Sequence, residues 1–291
     1  MVDFDVPEVD YTRYTNRQLA AVPLAVLAVA LLIIAGWTVA TGVPVDRGID
    51  FTGGTELRLG EVPAPDDGGR ADIREAFSAS PESIQYVGTT GLYVVTFDDE
   101  VRASQLDTEA NEAGFSVESQ DTVSGNFGDD SQLLALGGVA VAFVGMSVLV
   151  FAMFRTFVPS IAVVISAFSD IVIPVALMNV LGIELTLGTV AALLMLIGYS
   201  VDSDILLNNH ILRRSGDFYE STYRAMRTGV TMTLTSISAM IVMTIVASLV
   251  GIELLSSIGI VLVFGLATDL MNTYMLNLSL LRWYKFEGVA R

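Results

Sequence analysis

Six apolar runs, each about 20 residues long and so matched to the bilayer thickness in helical form, constrain this sequence more than any other feature. They cover residues 19–41, 133–152, 158–181, 185–208, 231–250 and 257–281. Backbone polar groups find no partners in hydrocarbon, so such runs must close their own hydrogen bonds as helices. Arg13 and Arg17 precede the first run in the manner of a secretion signal. Its apolar core exceeds the about 7–15 residues of a signal peptide, which makes it an uncleaved span. The expected fold class is an α-helical membrane bundle of six transmembrane helices.

The 291 residues are 53% hydrophobic and only 16% charged, against about 25% charged in soluble domains. There is no cysteine, which excludes disulfides, thiolate metal sites and cysteine nucleophiles. A single histidine, His210, excludes a multi-histidine zinc site within the chain and reads as interfacial. Neither a metal nor a cofactor is expected. With 32 acids against 15 bases the net charge is −17, which argues against a nucleic-acid partner, since phosphate contacts need clustered cations.

Basic residues orient the spans. With the N-terminus inside, Arg13, Arg17, Arg155, Arg213, Arg214, Arg224, Arg227, Arg282, Lys285 and Arg291 all fall inside. The short outside turns 182–184 and 251–253 carry acid and no base. Both termini, including the stretch 1–18, are therefore expected in the cytoplasm, and the chain in the cell membrane among lipid. Residues 42–132 form one large outside domain, in which 19 acids face five bases, leaving residues 133–291 for the remaining helices. A strand over 49–59, a helix over 71–79, strands over 83–88 and 92–98 joined at Thr89-Thr90-Gly91, a helix over 103–113 closed by Gly114, and a strand over 115–123 follow one another. That order, β-α-β-β-α-β, is the ferredoxin-like α+β motif. Residues 124–131 read as a flexible return to the membrane.

Four aspartates lie inside predicted spans: Asp170, Asp202, Asp204 and Asp269. A charged aspartate at a helix centre costs about 2.5–3.5 kcal/mol on insertion scales, so such residues face the bundle interior, find partners or are protonated. Ser200, Asp204 and Asn208 share one helical stripe, and Tyr199, Asp202 and Asn209 another. Asp269, Thr273 and Asn277 make a third. Thr228, Thr231, Thr235 and Ser238 line one face of the fifth span, either as a water file or as small residues packing between helices. Pro174 removes the donor for the carbonyl of Asp170.

Arg47 to Thr55, with Gly48-Ile49-Asp50-Phe51-Thr52-Gly53-Gly54 at its heart, resembles the signature heading the outside domain of the SecD/SecF family, accessory subunits of the Sec protein-export machinery. Gly198-Tyr199-Ser200 opens a fourth-span motif similar to that of the SecF branch, and Arg227-Thr228 resembles the opening of the family's fifth span. The chain's length fits the SecF branch. Asp202 stands where that branch usually has Asn, Ser203 where it has Asp, and Asp204 where it has Thr. Val201-Asp202-Ser203 is closer to the SecD form, so the resemblance carries ion coupling onto Asp202. Asp202 and Arg227 lie toward the cytoplasmic half of adjacent spans, where a buried arginine seeks an anion, so the two are expected to pair.

The resemblance implies a half of an assembly like the resistance-nodulation-division transporters. It implies pairing with SecD, association with the Sec translocation channel, and help to an unfolded translocating polypeptide driven by a proton or sodium gradient. No catalytic residue is expected. Other readings are a standalone small-molecule or lipid exporter, a purely structural partner of SecD, and an intramembrane aspartyl protease using Asp170 and Asp202. The composition points to a salt-loving archaeal source.

Overall fold

The structure, a computed structural model, describes residues 9–87, 91–99, 101–213 and 217–288. The predicted turn at Thr89-Thr90 and the bases Arg214 and Arg291 lie outside the described residues. Six helices are long and apolar enough to cross a membrane. They are α1 (Asn16–Thr41), α5 (Gly125–Phe154), α6 (Phe157–Leu181), α7 (Leu187–Arg213), α8 (Phe218–Val250) and α9 (Glu253–Met271), the last continued by a π-helical segment (Asn272–Asn277) and α10 (Leu278–Trp283). Local chemistry sets their ends. Thr15 caps α1 reciprocally with Gln18, each side chain reaching the other's backbone N–H. Gly182 and Gly251 end α6 and α8 in the left-handed conformation, at φ +68° and +78°, where glycine carries no Cβ penalty.

Helices α6 and α7 form the buried centre, while α1, α5 and α8 are largely peripheral. The centre is close-packed because α6 turns small residues inward: Ser160, Ala162, Ser166, Ala167 and Ser169 are all fully buried. Small side chains let helix backbones approach where no hydrophobic drive separates protein from lipid.

Between α1 and α5 lies a small sheet domain: α2 (Ile49–Thr52), β1 (Gly54–Gly60), α3 (Gly69–Ala76), β2 (Ser83–Val87), β3 (Leu92–Phe97), α4 (Ala103–Glu112) and β4 (Ser116–Val123). The four antiparallel strands run β2-β3-β1-β4. Alternation along β1 sends Leu57 and Leu59 to one face, where they meet Val95 of β3, Ile73 of α3 and Leu106 of α4. Both helices therefore cover the same face.

Two segments differ from their sequence reading. The expected first strand is split: residues 49–52 make one helical turn, and the strand starts only at Gly54. Gly53 (φ +74°) and Gly54 (φ +113°) make the break, in a backbone region that side-chain-bearing residues avoid. The expected flexible return at 124–131 is instead helical from Gly125, the first turns of α5. Its glycines were read as loop formers, yet Gly125 and Gly128 serve close packing: a Cβ on Gly53 would lie 2.6 Å from Gly125, and one on Gly128 would lie 2.8 Å from the Gly53 nitrogen.

Candidate functional site

The middle of the bundle holds a polar cluster sealed from solvent. Helix α6 contributes Asp170, α7 contributes Ser200 and Asp204, α9 contributes Asp269, and the π segment contributes Asn272, Thr273 and Asn277. None is more than 1% exposed. Asp170 accepts hydrogen bonds from Ser200 Oγ at 2.5 Å and from Asn272 Nδ2 at 2.6 Å. Asp204 Oδ1 accepts from Asn277 Nδ2 at 2.7 Å and from Thr273 Oγ1 at 2.9 Å. The same Thr273 hydroxyl lies 3.2 Å from Asp269 Oδ1. A hydroxyl has one proton, so Thr273 serves only one of these two carboxyl groups at a time.

The cluster is rich in acceptors, and the buried Ser166 hydroxyl of α6 stands beside Asp170 and Asp204 as a further donor. Asp204 Oδ2, Asp269 Oδ2, Asn272 Oδ1 and Asn277 Oδ1 are buried with no hydrogen-bond partner among the described residues. No lysine, arginine or histidine is buried among the described residues either. The described residues contain no group of three or more His, Cys, Asp or Glu side chains gathered as a metal ion would need.

The three polar stripes fare differently. Ser200, Asp204 and Asn208 all point inward, as do Asp269, Thr273 and Asn277. The Tyr199, Asp202 and Asn209 stripe lies on the outer surface of the bundle, with Tyr199 39% exposed. Arg227 is exposed as well. The placement of Asp202 inside the bundle is thereby corrected: it sits two residues from Asp204, about 200° around the helix axis, and the inward side is taken by Asp204. Thr228, Thr231, Thr235 and Ser238 are exposed on α8, each hydroxyl donating to the carbonyl four residues back, at 2.7–3.3 Å. They line no interior file in this chain. His210 is half-buried, with Nδ1 2.8 Å from the Leu206 carbonyl.

Sequence reasoning missed Asn272. The signal was present as an amide in an apolar run, three residues after Asp269 and so on the same helical face. The π segment brings Asn272, Thr273 and Asn277 into the interior together, and such segments recur at functional positions of helices.

The signature heading the sheet domain fits against the same helices. Ile49 and Phe51 are buried, and Phe51 joins the bundle's apolar core beside Leu185, Val190 and Leu193. Gly48 lies so close to the α6–α7 turn that a Cβ there would fall 2.9 Å from Thr186 Cγ2. Thr52 donates to the Gly48 carbonyl at 3.3 Å. Gly198 is exposed on α7.

Comparison with known proteins agrees with this architecture. The family model for the protein-export membrane protein SecD/SecF, C-terminal, matches residues 104–287. The protein-export membrane protein SecF of Haloferax volcanii is 74% identical, with both chains covered in full. That of Pyrococcus furiosus, also an archaeon, is 40% identical over 94% of this chain and 93% of its own. The crystal structure of SecDF, a translocon-associated membrane protein from Thermus thermophilus, superposes with a TM-score of 0.73 over 96% of this chain at 20% identity. This chain spans 39% of that one, so the likeness speaks to the fold. With six spans, a matching family model over most of the chain and full-length relatives well above 30% identity, this chain belongs to the SecD/SecF family of multi-pass protein-export membrane proteins, on its SecF side.

Proposed function

We propose that this chain pairs with a SecD-type subunit at the Sec channel and helps an unfolded polypeptide across the cell membrane, coupling that work to a proton or sodium gradient through the buried carboxyl cluster. It acts as a translocation subunit, not as an enzyme. One observation carries the coupling: three aspartates are buried together with no buried base among the described residues. Like charges a few ångströms apart in a low dielectric repel strongly, and isolated buried carboxylates are neutralised instead. The missing positive charge is a proton or a small cation. Thr273, with one proton between two carboxyl oxygens, gives the cluster two arrangements: one with an added proton on the Asp269 side and one without.

The remaining parts follow the same reading. Residues 42–132 are the extracytoplasmic domain, both termini are cytoplasmic, and the strand order with both helices on one face supports a ferredoxin-like fold. Asp202 and the hydroxyls of α8 are polar groups on a lipid-depth surface, which suits a face covered by the partner's helices, since polar side chains inside a membrane avoid lipid. The test is export rate at matched abundance of the two-subunit complex. Asp204→Asn and Asp269→Asn should each reduce gradient-driven export with assembly intact, and collapse of the proton or sodium gradient should then add little. Wild-type export by both variants would leave the cluster as a structural joint.

A further inference from the structure

The sheet domain is joined covalently only to α1 and α5, the peripheral helices. The helix that carries Ser200 and Asp204 is α7, which has no covalent link to that domain. Four hydrogen bonds reach it instead, one at its first residue and three at the α6–α7 turn just ahead of it. Leu185 N–H donates to the Asp46 carbonyl at 2.7 Å, and Gly48 N–H donates to the Leu185 carbonyl at 2.9 Å, a short parallel bridge. Leu187 N–H, the first of α7, donates to Asp50 Oδ2 at 2.9 Å. Gln85 Nε2, from β2, donates to Glu184 Oε1 at 2.9 Å.

Each bond suits a rigid contact. A carboxylate at a helix N-terminus meets an unsatisfied backbone N–H and the positive end of the helix dipole. Glycine at position 48 permits the approach, because a Cβ there would also stand 3.1 Å from Glu184 Oε2. Asp50 lies four residues before β1 begins at Gly54. Helix α7 then runs unbroken from Leu187 to Arg213, so its head is about 25 Å from Asp204, 17 residues on. An unbroken helix of that length moves as a rod.

Resting on the coupling reading above, we propose that residues 46–50 are the link through which the state of the buried cluster moves the sheet domain, by way of α7, with Asp50 as the positioning residue. The two covalent tethers then serve as hinges. The link therefore runs through the α6–α7 turn rather than through the covalent connections to α1 and α5.

The full chain, with its partner in vesicles, tests this. The chain has no cysteine, so spin labels placed through Thr108→Cys on α4 and Leu249→Cys, exposed at the end of the peripheral helix α8, are specific and report the sheet domain against a helix that α7 does not carry. The distance between them is read as external pH is stepped. The expected result is a pH-dependent shift in the otherwise native chain, absent in Asp204→Asn and absent in Asp50→Ala. Asp50→Asn, which keeps an acceptor oxygen toward Leu187, should restore the shift, a rescue that a merely structural role does not require. Asp46, Glu56 and Glu184 are the other acids at this joint. They remain in every variant, so their titration cannot produce the difference. A full shift in Asp50→Ala alongside its loss in Asp204→Asn would overturn the link and leave the coupling reading standing. No shift in the native chain, either with pH or with external sodium stepped in its place, or one that survives Asp204→Asn, would overturn both. Should Asp50→Ala fail to accumulate, Asp50→Ser, whose shorter side chain falls away from Leu187, is expected to show the same loss.

Discussion

Helix α7 carries two aspartates two residues apart with opposite surroundings. Asp204 is fully buried, held by Thr273 and Asn277. Asp202 is exposed on the outer surface of the bundle. The same residue type, at the same depth, is a structural keystone on one face and an unsupported polar group on the other. The difference shows that an aspartate within a span does not define its role by depth. The neighbouring helices decide: the π segment delivers donors to Asp204 on one face only.

Removing inward acids should break that contrast most visibly. Asp170→Ala strips the acceptor from both Ser200 and Asn272, and each orphaned buried group costs about 1–3 kcal/mol. Asp204→Ala does the same to Asn277, while Thr273 keeps Asp269 as an acceptor. Asp202→Ala should change stability by less than about 0.5 kcal/mol, as surface substitutions do. Thermal unfolding of the purified chain in detergent compares the three. Equal losses for Asp202→Ala and Asp204→Ala would erase the distinction between the faces.

The outward face should show itself only when the partner is present. If a partner's helices donate to Asp202, Asp202→Asn weakens association by about 1.5–3 kcal/mol, the range for hydrogen bonds to charged groups, without altering the chain alone. Titrating labelled partner against the purified chain measures this. Unchanged affinity would assign the face to lipid-exposed or solvated surface.

A smaller effect probes the bridge between the inward acids. Thr273→Val keeps the shape and removes the hydroxyl that donates to Asp204, with an expected loss of about 1 kcal/mol. Thr273→Ser, which keeps the hydroxyl, should lose less. The same melting measurement separates them, and equal losses would point to packing of the γ-methyl rather than the proton.

Much of this was legible in the sequence. Period and length gave six spans, because hydrocarbon leaves the backbone only helices. The inward stripes of Ser200, Asp204, Asn208 and of Asp269, Thr273, Asn277 follow from helical spacing alone. What spacing could not supply was which stripe faces inward. For Asp202, the family resemblance and the depth in the span both favoured the interior, and neither reports the position of α6. Asn272 lies three residues after Asp269, on the same helical face, and was legible by the same rule. The helical turn at 49–52 escaped because the β-branched and aromatic residues there read as strand, whereas Phe51 is drawn into the bundle core, a tertiary preference that overrides local propensity.

Glu184 is the intermediate case, and its titration sharpens the comparison. It sits in the turn ahead of α7, half-buried, outside the spanning segments. Burial first, then the nearby carboxylates Glu56 and Asp46, raise it from 4.5 to about 7. In the unfolded or opened turn the group ionises near 4.5; in the closed joint it holds its proton until about 7. Between those values the open form releases a proton that the closed form keeps, so closure weakens as pH rises through the window and levels off above it. The amides of Leu185 and Gly48, both bonded across the joint, report that closure. Their hydrogen-exchange protection, corrected for the intrinsic pH dependence of exchange, should decline from pH 4.5 to 7 in the native chain. In Glu184→Gln, which keeps an acceptor for Gln85 but cannot ionise, protection should be flat over the same range. A parallel decline in the variant would overturn the assignment to Glu184. The buried Asp204, the exposed Asp202 and, in the turn ahead of α7, the half-buried Glu184 would then each be set by the neighbours it meets.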